Sequence, residues 1–198
     1  MDIPEGKLNC ISQSPTEFVV RAFDKDEKRF DTSIQVSPSQ PEGLAPNSIV
    51  IAGDGGEATA GEWGIAIAGE QGAAKSLRSG LAYVISGQAN CEQPKGIAIA
   101  HKNGIVTAAN LLAATFHGGS AIMSGAGIAI ALNDFNQFDA QAAASDNGLI
   151  VLGYMARDPV KGDIRQYVVC KVGEDGIKAN TPYKLDDSHN VIEATTRA

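Results

Sequence analysis

The phrase Gly64-Ile65-Ala66-Ile67-Ala68 returns letter for letter as Gly96-Ile97-Ala98-Ile99-Ala100 and again as Gly127-Ile128-Ala129-Ile130-Ala131. Looser copies fill the gaps: Ser48-Ile49-Val50-Ile51-Ala52, Gly80-Leu81-Ala82-Tyr83-Val84 and Leu112-Ala113-Ala114-Thr115-Phe116. Their starts at 48, 64, 80, 96, 112 and 127 step by 16 residues, with one last step of 15. A seventh copy, Gly148-Leu149-Ile150-Val151-Leu152, follows after 21. Alternation of large and small apolar residues is the period-two signature of a strand. Each copy is followed by a turn rich in glycine or asparagine (Gly55-Gly56, Gln71-Gly72, Gly87, Asn103-Gly104, Gly119) and then by a second short apolar run such as Ala58-Thr59-Ala60 or Ile105-Val106-Thr107-Ala108. Strand, corner, strand and corner within 16 residues make one rung of a narrow β-solenoid. Helical repeats and propeller blades need units roughly twice as long or more.

The fold expected is therefore all-β, a single-stranded β-solenoid (β-helix or β-roll) of about 16-residue rungs with a β cap at each end. Residues 1–47 lack the repeat and read as a β cap, 48–153 as the solenoid and 154–198 as the C-terminal β cap. Within the cap segments, Glu17–Phe23 and Thr32–Val36 at one end, and Gly148–Ala156, Ile164–Val172, Tyr183–Leu185 and Val191–Glu193 at the other, have strand patterning. The repeat breaks at 132–147, where the extra residues predict a longer loop or a helical turn. Placing the larger residues inside puts Ile49, Ile65, Leu81, Ile97, Ala113 and Ile128 in an inward ladder. It leaves Val50, Ala66, Ala82, Ala98, Ala114 and Ala129 as an outward strip of methyl groups.

Composition limits the function classes. The chain has 198 residues, a net charge of −7 and 22 glycines, against 6 Phe, 4 Tyr and 1 Trp. An acidic chain without basic clusters is not built to hold nucleic acid. Small apolar residues suit a thin, closely stacked core. Cys10, Cys91 and Cys170 stand far apart with no metal-ligand spacing, which predicts reduced structural thiols in a cytoplasmic protein. Met1-Asp2-Ile3-Pro4-Glu5 does not open a secretory signal, and no run reaches the ~20 apolar residues of a membrane helix.

His101 and His117 lie 16 residues apart at one rung offset, so they are expected to stack about 5 Å apart, one rung above the other. No acid or cysteine shares that offset in neighbouring rungs, so they read as corner residues. Ser124 lacks the flanks of a nucleophile elbow, and Asp54-Gly55-Gly56 is not followed by a phosphate-binding helix. Catalytic residues, cofactor and metal are all expected to be none.

Gly64-Ile65-Ala66-Ile67-Ala68-Gly69 with Ala73-Ala74 resembles the head repeats of trimeric autotransporter adhesins, which implies a left-handed β-roll. The stretch 48–194, closing on Tyr167-Val168-Val169-Cys170-Lys171-Val172, is more similar to Gly/Ala-rich solenoid proteins of phage, prophage and bacterial accessory genes. That resemblance carries no activity over to this chain. The expectation is a non-enzymatic binding protein whose rigid face holds or inhibits a protein partner, as an immunity-type or phage-derived accessory protein would. The alternative is a structural module, adhesin- or fibre-like, that self-assembles through the flat alanine strip. Expected partner-binding residues are Trp63 at a corner, Ala66, Ala82, Ala98 and Ala114 in the strip, and Phe135 and Phe138 in the 132–147 insertion.

Overall fold

The computed structural model describes residues 9–14, 17–23, 29–37, 42–43, 46, 48–134 and 139–194. Every described regular element is a strand. An 11-stranded first sheet runs in the order β1 (Asn9–Ser14), β2 (Glu17–Phe23), β3 (Arg29–Ser37), β5 (Ile49–Ala52), β7 (Ile65–Ala68), β9 (Leu81–Val84), β11 (Ile97–Ala100), β13 (Leu112–Thr115), β15 (Ile128–Leu132), β17 (Leu149–Asp158) and β18 (Gly162–Lys171). A 9-stranded second sheet runs β20 (Val191–Glu193), β19 (Tyr183–Leu185), β16 (Gln141–Ala144), β14 (Ser120–Met123), β12 (Ile105–Ala109), β10 (Gly87–Pro94), β8 (Gly72–Arg78), β6 (Glu57–Glu62) and β4 (Glu42–Gly43). The chain alternates between the sheets from β5 to β16, and neighbouring strands there pair in parallel. This is a β-solenoid of six successive strand pairs, about five turns.

The two ends are closed by changes of strand direction. β1, β2 and β3 pair antiparallel before β3 joins β5 in parallel. β17 forms the last rung with residues 149–153, runs on to Asp158, and pairs antiparallel with β18 along all ten of its residues. β19 and β20 close the second sheet, and Val172, Tyr183 and Leu185 are buried against the last rungs.

The interior corrects the expected facing. Val50, Ala66, Ala82, Ala98, Ala113 and Ala129 from the first sheet point inward and are fully buried. They meet Ala58, Ala74, Ala89, Val106, Ala121 and Ala142 of the second sheet, all buried as well. The isoleucines of β5, β7, β11 and β15 stand on the outer face, whereas Ile150 of β17 is buried. The corners impose this parity. A Cβ on Gly64 would lie 2.8 Å from the Ala60 Cβ, and one on Gly104 2.3 Å from the Ala100 Cβ, so both positions point into a space with no room for a methyl group. Since strand side chains alternate, an inward Gly64 forces Ile65 out, Ala66 in, Ile67 out and Ala68 in.

One register step also differs from expectation. Ile97 pairs with Leu112, Ala98 with Ala113 and Ile99 with Ala114, so the short step of 15 falls between β11 and β13 and not after 112. Leu111, exposed, takes the corner position held by Ser48 before β5 and by glycine in the other rungs. The slip moves Ala113 into the core and Ala114 to the outer row. In the 132–147 break, Gln141–Ala144 is an ordinary rung strand of the second sheet, paired with β14. The extra residues lie at the corner before it.

Several polar groups inside the corners are paired. Ser48 accepts the Gly61 N–H at 3.2 Å, Ser76 donates to the Gly64 carbonyl at 3.4 Å, and Thr115 donates to the Gly118 carbonyl. Burial pushes the Cys91 thiol up to about 11, outweighing the backbone hydrogen bonds that favour its thiolate. The largest fully buried side chains, Met123, Ile150, Leu152 and Leu185, lie toward the C-terminal end of the solenoid.

Candidate interaction surface

Because the alanines face inward, the outer surface of the first sheet carries two aliphatic ladders. One is Ile49, Ile65, Leu81, Ile97, Leu112, Ile128 and Leu149; the other is Ile51, Ile67, Tyr83, Ile99, Ala114, Ile130 and Val151. Most are half-buried against their ladder neighbours, and Ile128 is 37% exposed. Neither ladder contains a charged residue. The second sheet presents the opposite chemistry on its outer face: Glu57, Thr59, Lys75, Gln88, Asn90, Thr107 and Gln141, with Ile105 and Ile122 among them. Lys75 and Glu92 pair there at 2.9 Å. One face of the solenoid is thus polar and the other is a charge-free aliphatic plane across seven parallel strands.

The expected contact residues fare unequally. Ala66, Ala82 and Ala98 have no exposed surface and point into the core, so they cannot form the partner-binding strip assigned to them. Ala114 does lie on the outer face but is 2% exposed, sunk between Ile99 and Ile130. The plane exists, built around Ile49, Ile65, Leu81, Ile97 and Ile128, which the sequence reading assigned to the interior. Phe135 and Phe138 lie outside the described residues.

Trp63 is 60% exposed at the corner between β6 and β7. Its backbone is left-handed, φ 59°, as are Ser79, Lys95 and Asn110 at the matching corners. A bulky residue in that conformation costs about 1 kcal/mol that asparagine or glycine would largely avoid. Beside it, a groove of about 420 Å³ is lined by Glu62, Leu77, Arg78 and Glu92.

The opposite corner gathers the polar side chains. The His101 and His117 rings sit 4.9 Å apart, edge to face, in neighbouring rungs, although the 15-residue step between β11 and β13 puts Phe116 rather than His117 at the offset of His101. His117 Nδ1 pairs with Asp134, whose other carboxylate oxygen is 3.8 Å from Arg165 Nη2. Arg165 Nη1 also donates to the Asn133 carbonyl at 3.2 Å. Asn133 is buried, accepts the Ala140 N–H at 2.9 Å, and leaves its own amide nitrogen without a partner. These contacts clip the inserted corner to the β17–β18 hairpin. Among the described residues no three His, Cys, Asp or Glu side chains are placed to hold a metal ion, and no helix is long and apolar enough to cross a membrane.

No protein-family model, curated protein or solved structure matches the chain.

Proposed function

We propose that this chain is a non-enzymatic binding protein whose rigid aliphatic plane, the outer face of β5 to β17, is covered by protein. One observation carries the reading. Seven neighbouring strands put Ile, Leu, Val, Tyr or Ala, and no charged or amide side chain, at both outward positions of each rung, from Ile49 and Ile51 to Leu149 and Val151. An exposed apolar patch running across several strands is uncommon on a monomeric protein and marks interaction sites. The outer face of the second sheet, where Glu57, Lys75, Gln88 and Asn90 stand among Ile105 and Ile122, is mixed, and the contrast supports this reading.

Trp63 supports the same reading from a second place. Its exposure and its left-handed backbone both oppose stability, and exposed tryptophans serve as interface anchors. In this reading the chain holds or blocks its target by surface complementarity, as an immunity-type or phage-derived accessory protein does.

The test compares Ile67→Glu/Ile130→Glu with a control, Thr59→Glu/Thr107→Glu, on the opposite face. Each is applied to native-host extract as a folded protein, and complexes are read by size-exclusion chromatography with mass spectrometry. The expected result is loss of complex with the first variant only. Retention by the first variant with loss by the control would overturn the proposal.

A further inference from the structure

The aliphatic plane carries a pattern that goes beyond being apolar. Along the ladder through Ile99, the large Tyr83 lies one rung to one side and the small Ala114 one rung to the other. The neighbouring ladder is centred on Ile97, with Leu81 and Leu112 as its matching flanks. Further out, each rung before the centre is matched by an aliphatic residue of nearly equal size after it. The plane is therefore near-palindromic in side-chain volume about β11. Only one pair departs from equality, and it departs as a knob and a notch.

From this we infer that the plane is closed by a second copy of the same chain, packed face to face about a two-fold axis that runs along β11. The inference rests on the reading that protein covers this face and names the occupant. Such an axis keeps strand directions and reverses the order of rungs. Ile97 and Ile99 then meet their own counterparts, while Tyr83 of each copy stands over Ala114 of the other. Each symmetric contact repeats twice, as an isologous interface requires. Aligned packing of two sheets about 10 Å apart suits a flat, ridged plane of this kind. The absence of charge favours self-association, because there is no pattern on the plane for an oppositely charged partner to read.

The area sets the strength. Seven rungs at about 4.8 Å by four residues at about 3.3 Å give a footprint of roughly 450 Å² per copy. Twice that lies below the ~1,200 Å² at which stable specific interfaces begin, in the range of transient pairs. The dimer is accordingly reversible, with dissociation in the micromolar range at about room temperature.

Sedimentation equilibrium on the full chain, from about 1 to about 300 µM, reads the result directly. The expected mass rises with concentration from the 20.5 kDa of one chain to twice that value. Ile97→Glu and Ile97→Lys each place like charges together on the axis, so each variant alone stays at single-chain mass. An equimolar mixture of the two recovers the doubled mass, which no contact between different faces would reproduce. Ala114→Tyr should weaken the dimer at least tenfold, and adding Tyr83→Ala should restore it to within about threefold. Circular dichroism checks that each variant is folded. Wild-type chain that stays at single-chain mass throughout, or a charge mixture that fails to associate, overturns the inference. In either case, loss of a bound partner by Ile67→Glu/Ile130→Glu would leave the broader reading of the face standing.

Discussion

Ala98 and Ile99 are adjacent, yet the structure assigns them opposite environments, and this makes a decisive comparison. Ala98 is fully buried, flanked in its ladder by Ala82 and Ala113, also fully buried. Ala98→Ile adds three carbons to a space built for one and should cost about 2–3 kcal/mol through overpacking. Ile99→Ala removes three carbons from a half-buried outer position. No cavity is left, because solvent reaches the site, and the lost transfer energy is about half of three methylenes, or ~1 kcal/mol. For a chain of this size 1 kcal/mol corresponds to about 2–4 °C in Tm. The interior change should therefore lower Tm by about 5–10 °C and the outer one by about 2–4 °C. Urea titration followed by circular dichroism, at a concentration too low for self-association, gives the same ranking through the midpoints. If the isoleucines instead filled the interior, Ile99→Ala would cost about 2–5 kcal/mol. Ala98→Ile would then be neutral or better, since β-branched residues suit an outer sheet face. A larger loss from Ile99→Ala than from Ala98→Ile would refute the assigned parity.

Two further outcomes follow from single positions. Trp63→Asn should raise stability by about 1 kcal/mol in urea titration, because asparagine tolerates the left-handed corner, and a fall would remove the strain argument for Trp63. Burial raises the Cys91 thiol to about 11 from an ordinary 9.0, so at pH 8 iodoacetamide should label it roughly 100-fold more slowly in the folded than in the unfolded chain. Because the folded value is the higher one, its contribution to stability is present below pH ~9 and is lost as pH rises through about 11. Mass spectrometry of tryptic fragments reads the labelling, and equal rates in folded and unfolded chain would contradict the burial.

Most of the architecture was legible because a fixed repeat constrains a chain more tightly than local propensity does. Period, corners, caps and the paired runs Tyr183–Leu185 and Val191–Glu193 all emerge as read. The facing of the strands did not. Assigning the larger residue to the interior follows transfer free energy, but the distance between the sheets is set by backbone and corner geometry. The deciding signal was present in Gly64, Gly80 and Gly96, each one residue before an isoleucine or leucine. A position that excludes a methyl group must point inward, and period two does the rest. The register slip at Leu112 was hidden because Leu112-Ala113-Ala114-Thr115 alternates poorly, so either alignment fits. The aliphatic plane was missed for the same reason the core was misassigned. The stacked histidines were found, whereas their link to Asp134 and Arg165 was not, because it joins residues up to 48 positions apart through a hairpin arm whose path no repeat encodes.

The direction change at each end of the first sheet limits how copies of this chain can accumulate. A stack of parallel, in-register strands is also the arrangement of a fibril, and an open terminal rung would template another chain indefinitely. Here the terminal strands β1 and β18 run antiparallel to their neighbours, and β18 carries Asp163, Arg165 and Lys171 along its edge. A further copy arriving along the axis meets the wrong polarity and a charged border. Growth by polymerisation is blocked in that direction, and association is diverted sideways, where a two-fold contact uses up its own surface and stops at two.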